Sequence, residues 1–271
     1  GAGKSTALAI CTGLLAPDSG SVRIGDAGSP REPAVRRLLG IAPQRLALYD
    51  ALTARENLAF LGRIHGVERP MHRADALLDA VGLLPRARDR VSTFSGGMQR
   101  RLNLAAALVH SPPAIFLDEP TAGVDPSQRQ RMWDFLYELC EGGTSLFVTT
   151  HYLDKAERCH TVGFMLGGRL IAQGSPATLR ERLRHRLVGA EVQKVVEATR
   201  ALRGLPGVSD VTIHGYELRV LFEEVVDWES AAGRLHEAAE HAGAPLRRVY
   251  PLEPTLEDLF IGYARGHARA A

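Results

Sequence analysis

Hydrophobic and polar positions change rhythm several times along the chain. "TALAICTGLL" (Thr6 to Leu15) is apolar enough for a helix and runs into "APDSG", where Pro17 and Gly20 break the pattern. "SVRI" (Ser21 to Ile24) alternates and predicts a short exposed strand, while the nearly all-apolar "LLGIAP" (Leu38 to Pro43) predicts a buried strand ending at Gln44. Thr53 and Glu56 then spell a T-x-x-E capping box, with Leu58, Leu61 and Ile64 following at helical spacing. Ala74, Leu77, Leu78 and Val81 mark a second helix. "SGGMQRRLNLAAALVH" opens on glycines and carries Leu102, Ala105 and Leu108 on one stripe, predicting a third.

Two short apolar runs follow. "PAIFLDEP" predicts a strand that ends on Asp118 and Glu119, and "TSLFVTTH" one that ends beside His151. Between them lies a predicted helix with Asp125 as N-cap, Pro126 at its first position and glycines past its end. Strands alternating with helices predict an α/β fold with a mainly parallel sheet. Such sheets gather their chemistry at the carboxyl ends of strands, where Gln44, Asp118, Glu119 and His151 all fall.

Beyond the basic stretch Arg180 to Arg186 the order changes. Strand Val188–Gln193, helix Lys194–Leu202, strands Val208–His214 and Glu217–Phe222, helix Trp228–Ala242 and strand Pro245–Tyr250 make a β-α-β-β-α-β run. That is a small α+β, ferredoxin-like arrangement, with Val211 and Ile213 facing Leu218 and Val220 across its hairpin. A last helix opens at "TLEDLF". The expected organisation is therefore two domains, 1–186 and 187–271, the first carrying a helical subdomain at about 45–110.

Composition narrows the picture. At 271 residues the chain can bury a large core, and no apolar run approaches the roughly 20 residues that cross a bilayer. A formal charge of +2 argues against a nucleic-acid partner. Cys11, Cys140 and Cys159 have no metal-site spacing and cannot all pair within one chain, which suits a reducing compartment. Among 33 lysines and arginines only Lys4, Lys155 and Lys194 are lysine. One of those three follows Gly3, where a compact ammonium fits a phosphate loop better than a planar guanidinium.

Several stretches carry candidate chemistry. In "GAGKST" the glycines Gly1 and Gly3, with Ala2 between them, let backbone N–H groups turn toward phosphate oxygens. Lys4 would reach the phosphates and the Ser5 hydroxyl a Mg²⁺ ion, with Thr6 following. Asp118 suits a metal-side carboxylate and Glu119 a base for water. Ser95, Gly96, Gly97 and Met98 make a second glycine-rich helix start suited to anions. Each has a plainer reading taken singly: Ser95 as an ordinary N-cap, Gln44 as a solvated strand end, His151 as a structural histidine. Two phosphate-type helix starts against one acidic strand tip point to a shared site.

The ordered set of loop, Gln44, "SGG", "LDE" and His151 resembles the nucleotide-binding subunit of ATP-binding-cassette (ABC) transporters over roughly residues 1 to 180. The resemblance implies a P-loop NTPase (RecA-like) core with a helical signature subdomain. It makes "GAGKST" the tail of Walker A, Gln44 the Q-loop and a metal contact, and "SGGMQ" the signature. "FLDE" becomes Walker B and "AGVD" the D-loop ending on Asp125. Glu119 is then the general base, His151 the switch histidine, and Ser5, Gln44 and Asp118 the Mg²⁺ contacts. It further implies ATP as substrate and a homodimer in which each ATP meets one Walker A and the partner's signature. The second domain, "LYDALTARENL" and "TLEDLF" are similar to ATPases of bacterial ABC-2 type exporters, including the daunorubicin-resistance type. That implies separate ABC-2 membrane permease subunits and a peripheral place on the cytoplasmic face of the membrane. A soluble ABC ATPase with a non-transport role, or a regulatory non-catalytic module, are the alternatives. Three departures stand out. Met98 replaces the usual signature glutamine, the D-loop lacks a serine, and the first Walker A glycine and first strand are not in the sequence. On that ground the sequence is expected to be the remainder of a longer subunit.

Overall fold

The computed structural model describes residues 2–44 and 46–270, with side chains described up to residue 264. Gly1, expected in the phosphate loop, lies outside the described residues. The chain forms two compact units, Gly3–His151 and Tyr152–Ala271, with Ala2 grouped with the second.

The first unit contains α1 (Lys4–Cys11), α2 (Pro33–Arg36), β1 (Leu39–Ala42), α3 (Ala54–Ile64), α4 (Pro70–Ala80), α5 (Gly96–Ala107), β2 (Ala114–Asp118), α6 (Pro126–Glu141) and β3 (Ser145–Thr149). The three strands pair in parallel in the order β1-β2-β3, as the alternation with helices predicts. Their register sets Ala42 beside Leu117 and Asp118 beside Thr149, so the three carboxyl ends lie level.

Local chemistry explains the helices. The Thr53–Glu56 capping box forms in full at the start of α3. Ser95 caps α5 and Asp125 caps α6, with Pro126 at its first position. The buried Asn57 accepts the Tyr49 N–H and donates to the Tyr49 and Thr53 carbonyls, stitching the loop before α3 to that helix. Leu58, Leu78, Leu102, Leu104, Ile115, Leu117, Trp133 and Leu136 are almost fully buried in one cluster joining α3, α4, α5, β2 and α6. Burying each contributes about 1.5–3 kcal/mol before chain entropy is charged against it.

Two expectations are corrected here. The first helix runs Lys4–Cys11 instead of Thr6–Leu15, because Thr12 turns its hydroxyl back onto the Leu8 carbonyl and Gly13 adopts φ +72°. Leu14 and Leu15 consequently stand exposed. "SVRI" does not form a strand; its one ladder contact is the isolated Ile24–Gly28 bridge.

Gly40, in the middle of β1, is required by packing. A Cβ there would lie 2.4 Å from the Ala107 carbonyl oxygen and 2.8 Å from Pro112 Cγ, so the glycine lets the end of α5 rest on the strand.

The second unit comprises α7 (Leu153–Ala156), β4 (Val162–Leu166), β5 (Arg169–Gly174), α8 (Pro176–Glu181), β6 (Leu187–Val192), α9 (Val195–Arg203), β7 (Val208–His214), β8 (Glu217–Phe222), α10 (Trp228–His241), β9 (Leu246–Pro251) and α11 (Leu256–Ala270). Its four-stranded sheet has the order β7-β8-β6-β9 with every pair antiparallel, the topology of the β-α-β-β-α-β run. Val211 pairs with Val220 and Ile213 with Leu218, the hairpin contacts expected from alternation.

The boundary expected after Arg186 falls inside this unit. One apolar cluster takes Ala156, Val162, Phe164, Ala172, Leu179 and Leu183 from before that point, and Leu187, Leu221, Leu256 and Leu259 from after it. Among the described residues no helix is long and apolar enough to cross a membrane.

Candidate functional site

The site is assembled at the carboxyl ends of β2 and β3 and the start of α1. β2 is buried along most of its length and delivers Asp118, 5% exposed, to its tip. Glu119 follows with φ +50°, a left-handed conformation that costs a side-chain-bearing residue on the order of 1–3 kcal/mol. Local bonds hold it there: its N–H reaches both the carbonyl and the hydroxyl oxygen of Thr149 at 3.1 Å, and its carbonyl accepts the Ala122 N–H at 3.1 Å. Strain secured at a polar strand tip serves to aim a side chain.

Among the described residues the Glu119 carboxylate has two partners. Lys4 Nζ lies 3.4 Å from Oε1, and His151 Nδ1 lies 2.8 Å from Oε2. A carboxylate can only accept, so the Nδ1 position carries the imidazole proton. The Glu119 side chain is 12% exposed and that of His151 56%, so the contact spans the edge of the site. Asp118 Oδ1 accepts from the Thr149 hydroxyl at 2.5 Å.

At the start of α1, Gly3 is the N-cap with φ +91° and offers no side-chain cap. The first-turn N–H groups of a helix lack intrahelical partners and carry a partial positive charge, so this uncapped start with Lys4 beside it fits an anionic phosphate. Ser5 and Thr6 are exposed on the same turn. The exposed Ser5 hydroxyl and the Asp118 carboxylate are hard oxygen donors of the kind Mg²⁺ takes, so the residues present fit that ion.

The structure places Gly3, Lys4, Ser5, Thr6, Asp118, Glu119 and His151 in the first unit. The Ala2 carbonyl accepts the Gly168 N–H at 3.2 Å in the β4–β5 turn. Gln44 is exposed just past β1, and its carbonyl accepts Arg100 Nη1 at 2.8 Å. Asn103 Nδ2 donates to the preceding Pro43 carbonyl at 3.2 Å.

Ser95, Gly96, Gly97 and Met98 form the opening of α5, with the Met98 N–H on the Ser95 hydroxyl at 3.3 Å. A Cβ on Gly96 would meet nothing within 4 Å, and one on Gly97 would lie 3.9 Å from the Gly123 carbonyl and Val124 Cα. The Ser95–Met98 stretch thus neighbours Gly123 and Val124, and the space beside Gly96 is open. Asp125 accepts the Gln128 N–H at 3.1 Å and the Ser127 hydroxyl at 2.8 Å, and these bonds hold its carboxyl below the ordinary range.

Three residues at the site escaped the sequence reading. Thr149 reads as strand filler in "LFVTTH", because its role comes from its register against Asp118, which one strand's sequence does not record. Arg100 and Asn103 sit three apart on α5, so they share a face that the apolar stripe left unassigned.

Comparison with known proteins places the chain in a family. The ABC transporter family model matches residues 1–122. The linearmycin resistance ATP-binding protein of Bacillus subtilis (strain 168) is 38% identical over 267 residues, covering 96% of this chain and 86% of that protein. The daunorubicin resistance ATP-binding protein of Streptomyces coeruleorubidus is 35% identical, covering 96% and 83%. Among solved structures, a dimeric ATP-binding cassette in a post-hydrolysis state with ADP and Pi superposes with a TM-score of 0.60 at 27% identity, covering 64% of this chain and 81% of that one. With such identity over nearly the full length of both chains, and with a lysine-carboxylate-histidine cluster at the tips of a parallel sheet, the protein belongs to the ATP-binding ATPase subunits of the ABC transporter family.

Proposed function

We propose that the protein is the ATP-hydrolysing motor of an exporter and drives efflux through separate ABC-2 type permease subunits from the cytoplasmic face of the membrane. The observation that carries the site assignment is Glu119 held between Lys4 and His151.

In this reading the α1 start and Lys4 bind the β- and γ-phosphates, while Ser5, Asp118 and Gln44 hold Mg²⁺. Bound there, Mg²⁺ would supply charge neutralisation on the phosphate oxygens. Glu119 accepts the proton of the attacking water as the γ-phosphoryl bond to ADP breaks. His151 orients the Glu119 carboxylate through Nδ1 and lies at the side of the γ-phosphate. Ser95 to Met98 present the glycine-rich first turn of α5 to the ATP of a second copy, and Asp125 orders the adjoining D-loop. The dimeric cassette among the structural relatives supports that pairing. The relatives named for linearmycin and daunorubicin resistance support export as the direction of transport.

The test is light scattering on the Glu119→Gln protein with and without MgATP. Loss of turnover together with an MgATP-dependent dimer is the expected result. Unimpaired turnover in that variant would remove Glu119 from the role of base.

A further inference from the structure

The parallel register sets Asp118 directly beside Thr149, and residues paired across adjacent strands point to the same face of a sheet. Both side chains are buried, 5% and 6% exposed. The Thr149 hydroxyl donates to Asp118 Oδ1 at 2.5 Å and accepts the Glu119 N–H at 3.1 Å. A hydroxyl has one proton, and here it is committed to the carboxylate, which leaves a lone pair for the amide. One side chain is thereby bonded to both acidic residues of the site, out of water, where a hydrogen bond to a charged group is strong and its loss costly.

We propose that Thr149 is a positioning residue for the metal-side carboxylate. By engaging Oδ1 it fixes the rotation of the Asp118 carboxyl and leaves Oδ2 as the oxygen not committed to the hydroxyl. By accepting the Glu119 N–H it ties that orientation to the left-handed backbone from which Glu119 springs (φ +50°). The two functions are separable. The Glu119 N–H also reaches the Thr149 carbonyl at 3.1 Å, so removing the hydroxyl frees Asp118 while the strand tip keeps a backbone bond. Groups that orient a metal-binding side chain affect metal affinity about ten- to hundredfold when removed. The proposal rests on the reading of Asp118 as a Mg²⁺ contact.

The experiment compares Thr149→Val, which keeps the shape and deletes the hydroxyl, with Thr149→Ser, which keeps the hydroxyl. Binding of a fluorescent ATP analogue is titrated with and without Mg²⁺, beside the Mg²⁺ dependence of ATPase activity. Valine is expected to raise the Mg²⁺ needed for half-maximal nucleotide binding by about ten- to hundredfold. It should leave metal-free nucleotide binding unchanged, and serine should restore the wild-type requirement. An unchanged Mg²⁺ requirement with valine, equal weakening with and without Mg²⁺, or failure of serine to rescue would overturn the assignment. If the valine protein does not fold, Thr149→Cys, a weaker donor, should give an intermediate requirement; a wild-type value there counts against it. Asp118→Asn separates the two levels. If asparagine raises the Mg²⁺ requirement and valine does not, the role of Thr149 alone fails. If asparagine leaves the requirement untouched, the metal reading of Asp118 fails and the proposal with it.

Discussion

Lys4 Nζ lies 3.4 Å from Glu119 Oε1, so the lysine that would bind phosphate is already engaged by the carboxylate that would activate water. In the proposed reading an entering γ-phosphate therefore competes with Glu119 for Lys4. Replacing Glu119 by glutamine removes the competitor's charge, and nucleotide affinity should rise by up to about fivefold, the size of one partly exposed ion pair. Displacement of a fluorescent nucleotide measures this. Weaker binding in the variant would mean that Glu119 helps the lysine instead of competing for it.

The carbonyls of Pro43 and Gln44 are held by Asn103 and Arg100, both on α5. Arg100→Met and Asn103→Ala should each lower turnover several-fold. Because they hold adjacent peptide units, the double variant should lose less than the product of the two effects. Steady-state ATPase rates on the four proteins test this, and strictly multiplicative losses would show that the two bonds act independently.

Gly40 should tolerate no side chain. Gly40→Ala places a methyl 2.4 Å from the Ala107 carbonyl oxygen, a backbone atom that cannot swing away. Forcing β1 and the end of α5 apart should cost about 1–3 kcal/mol. The urea midpoint reports it, and an unchanged midpoint would mean that the end of α5 moves freely.

His65 and His110 stack with ring centroids 4.0 Å apart and planes inclined by 10°. Burial, and then the charge of His65, pushes the His110 imidazole down to about 4 from its ordinary 6.5. Between those two values the unfolded chain takes up a proton that the folded chain refuses, so the contribution is fully present above about 6.5 and is lost as the pH falls toward 4. His110→Phe keeps an aromatic ring beside His65 and removes that titration. The variant's urea midpoint should fall less than the wild type's between pH 7.5 and pH 5, conditions chosen to bracket roughly the ordinary histidine range. Equal falls would assign the pH dependence elsewhere.

Legibility in the sequence followed the physics of each element. β7 and β8 were readable because apolar and polar residues alternate from Val211 to His214 and from Glu217 to Val220, on both sides of the turn. The α3 and α6 starts were readable because Thr53 with Glu56, and Asp125 with Pro126, are chemical caps and not merely statistical ones. The β4–β5 hairpin was missed although Gly167 and Gly168, both at positive φ, sit between two strand-like runs; that pair is a turn signal in its own right. "SVRI" misled because alternation predicts a half-buried strand only where a neighbouring strand exists to pair with it. At the site, Asp118, Glu119 and His151 announced themselves as charged or polar ends of apolar runs. Thr149 could not, because its role comes from the residue across the ladder, and no spacing along one strand records which register the sheet will choose.

The apolar cluster that straddles Arg186 bears on how such subunits can be recombined. Leu179 and Phe164 precede that point, and Leu187, Leu221, Leu256 and Leu259 follow it, yet all share one interior. A chimera joined at Arg186 would set one parent's half of this interior against another's, and mismatched volumes there would destabilise both parents' contributions. Exchange of the ferredoxin-like module between relatives has to carry the β4–β5 hairpin and α8 along with it. Natural or engineered crossovers that work are therefore expected upstream of Leu153, where the donor's interior travels whole.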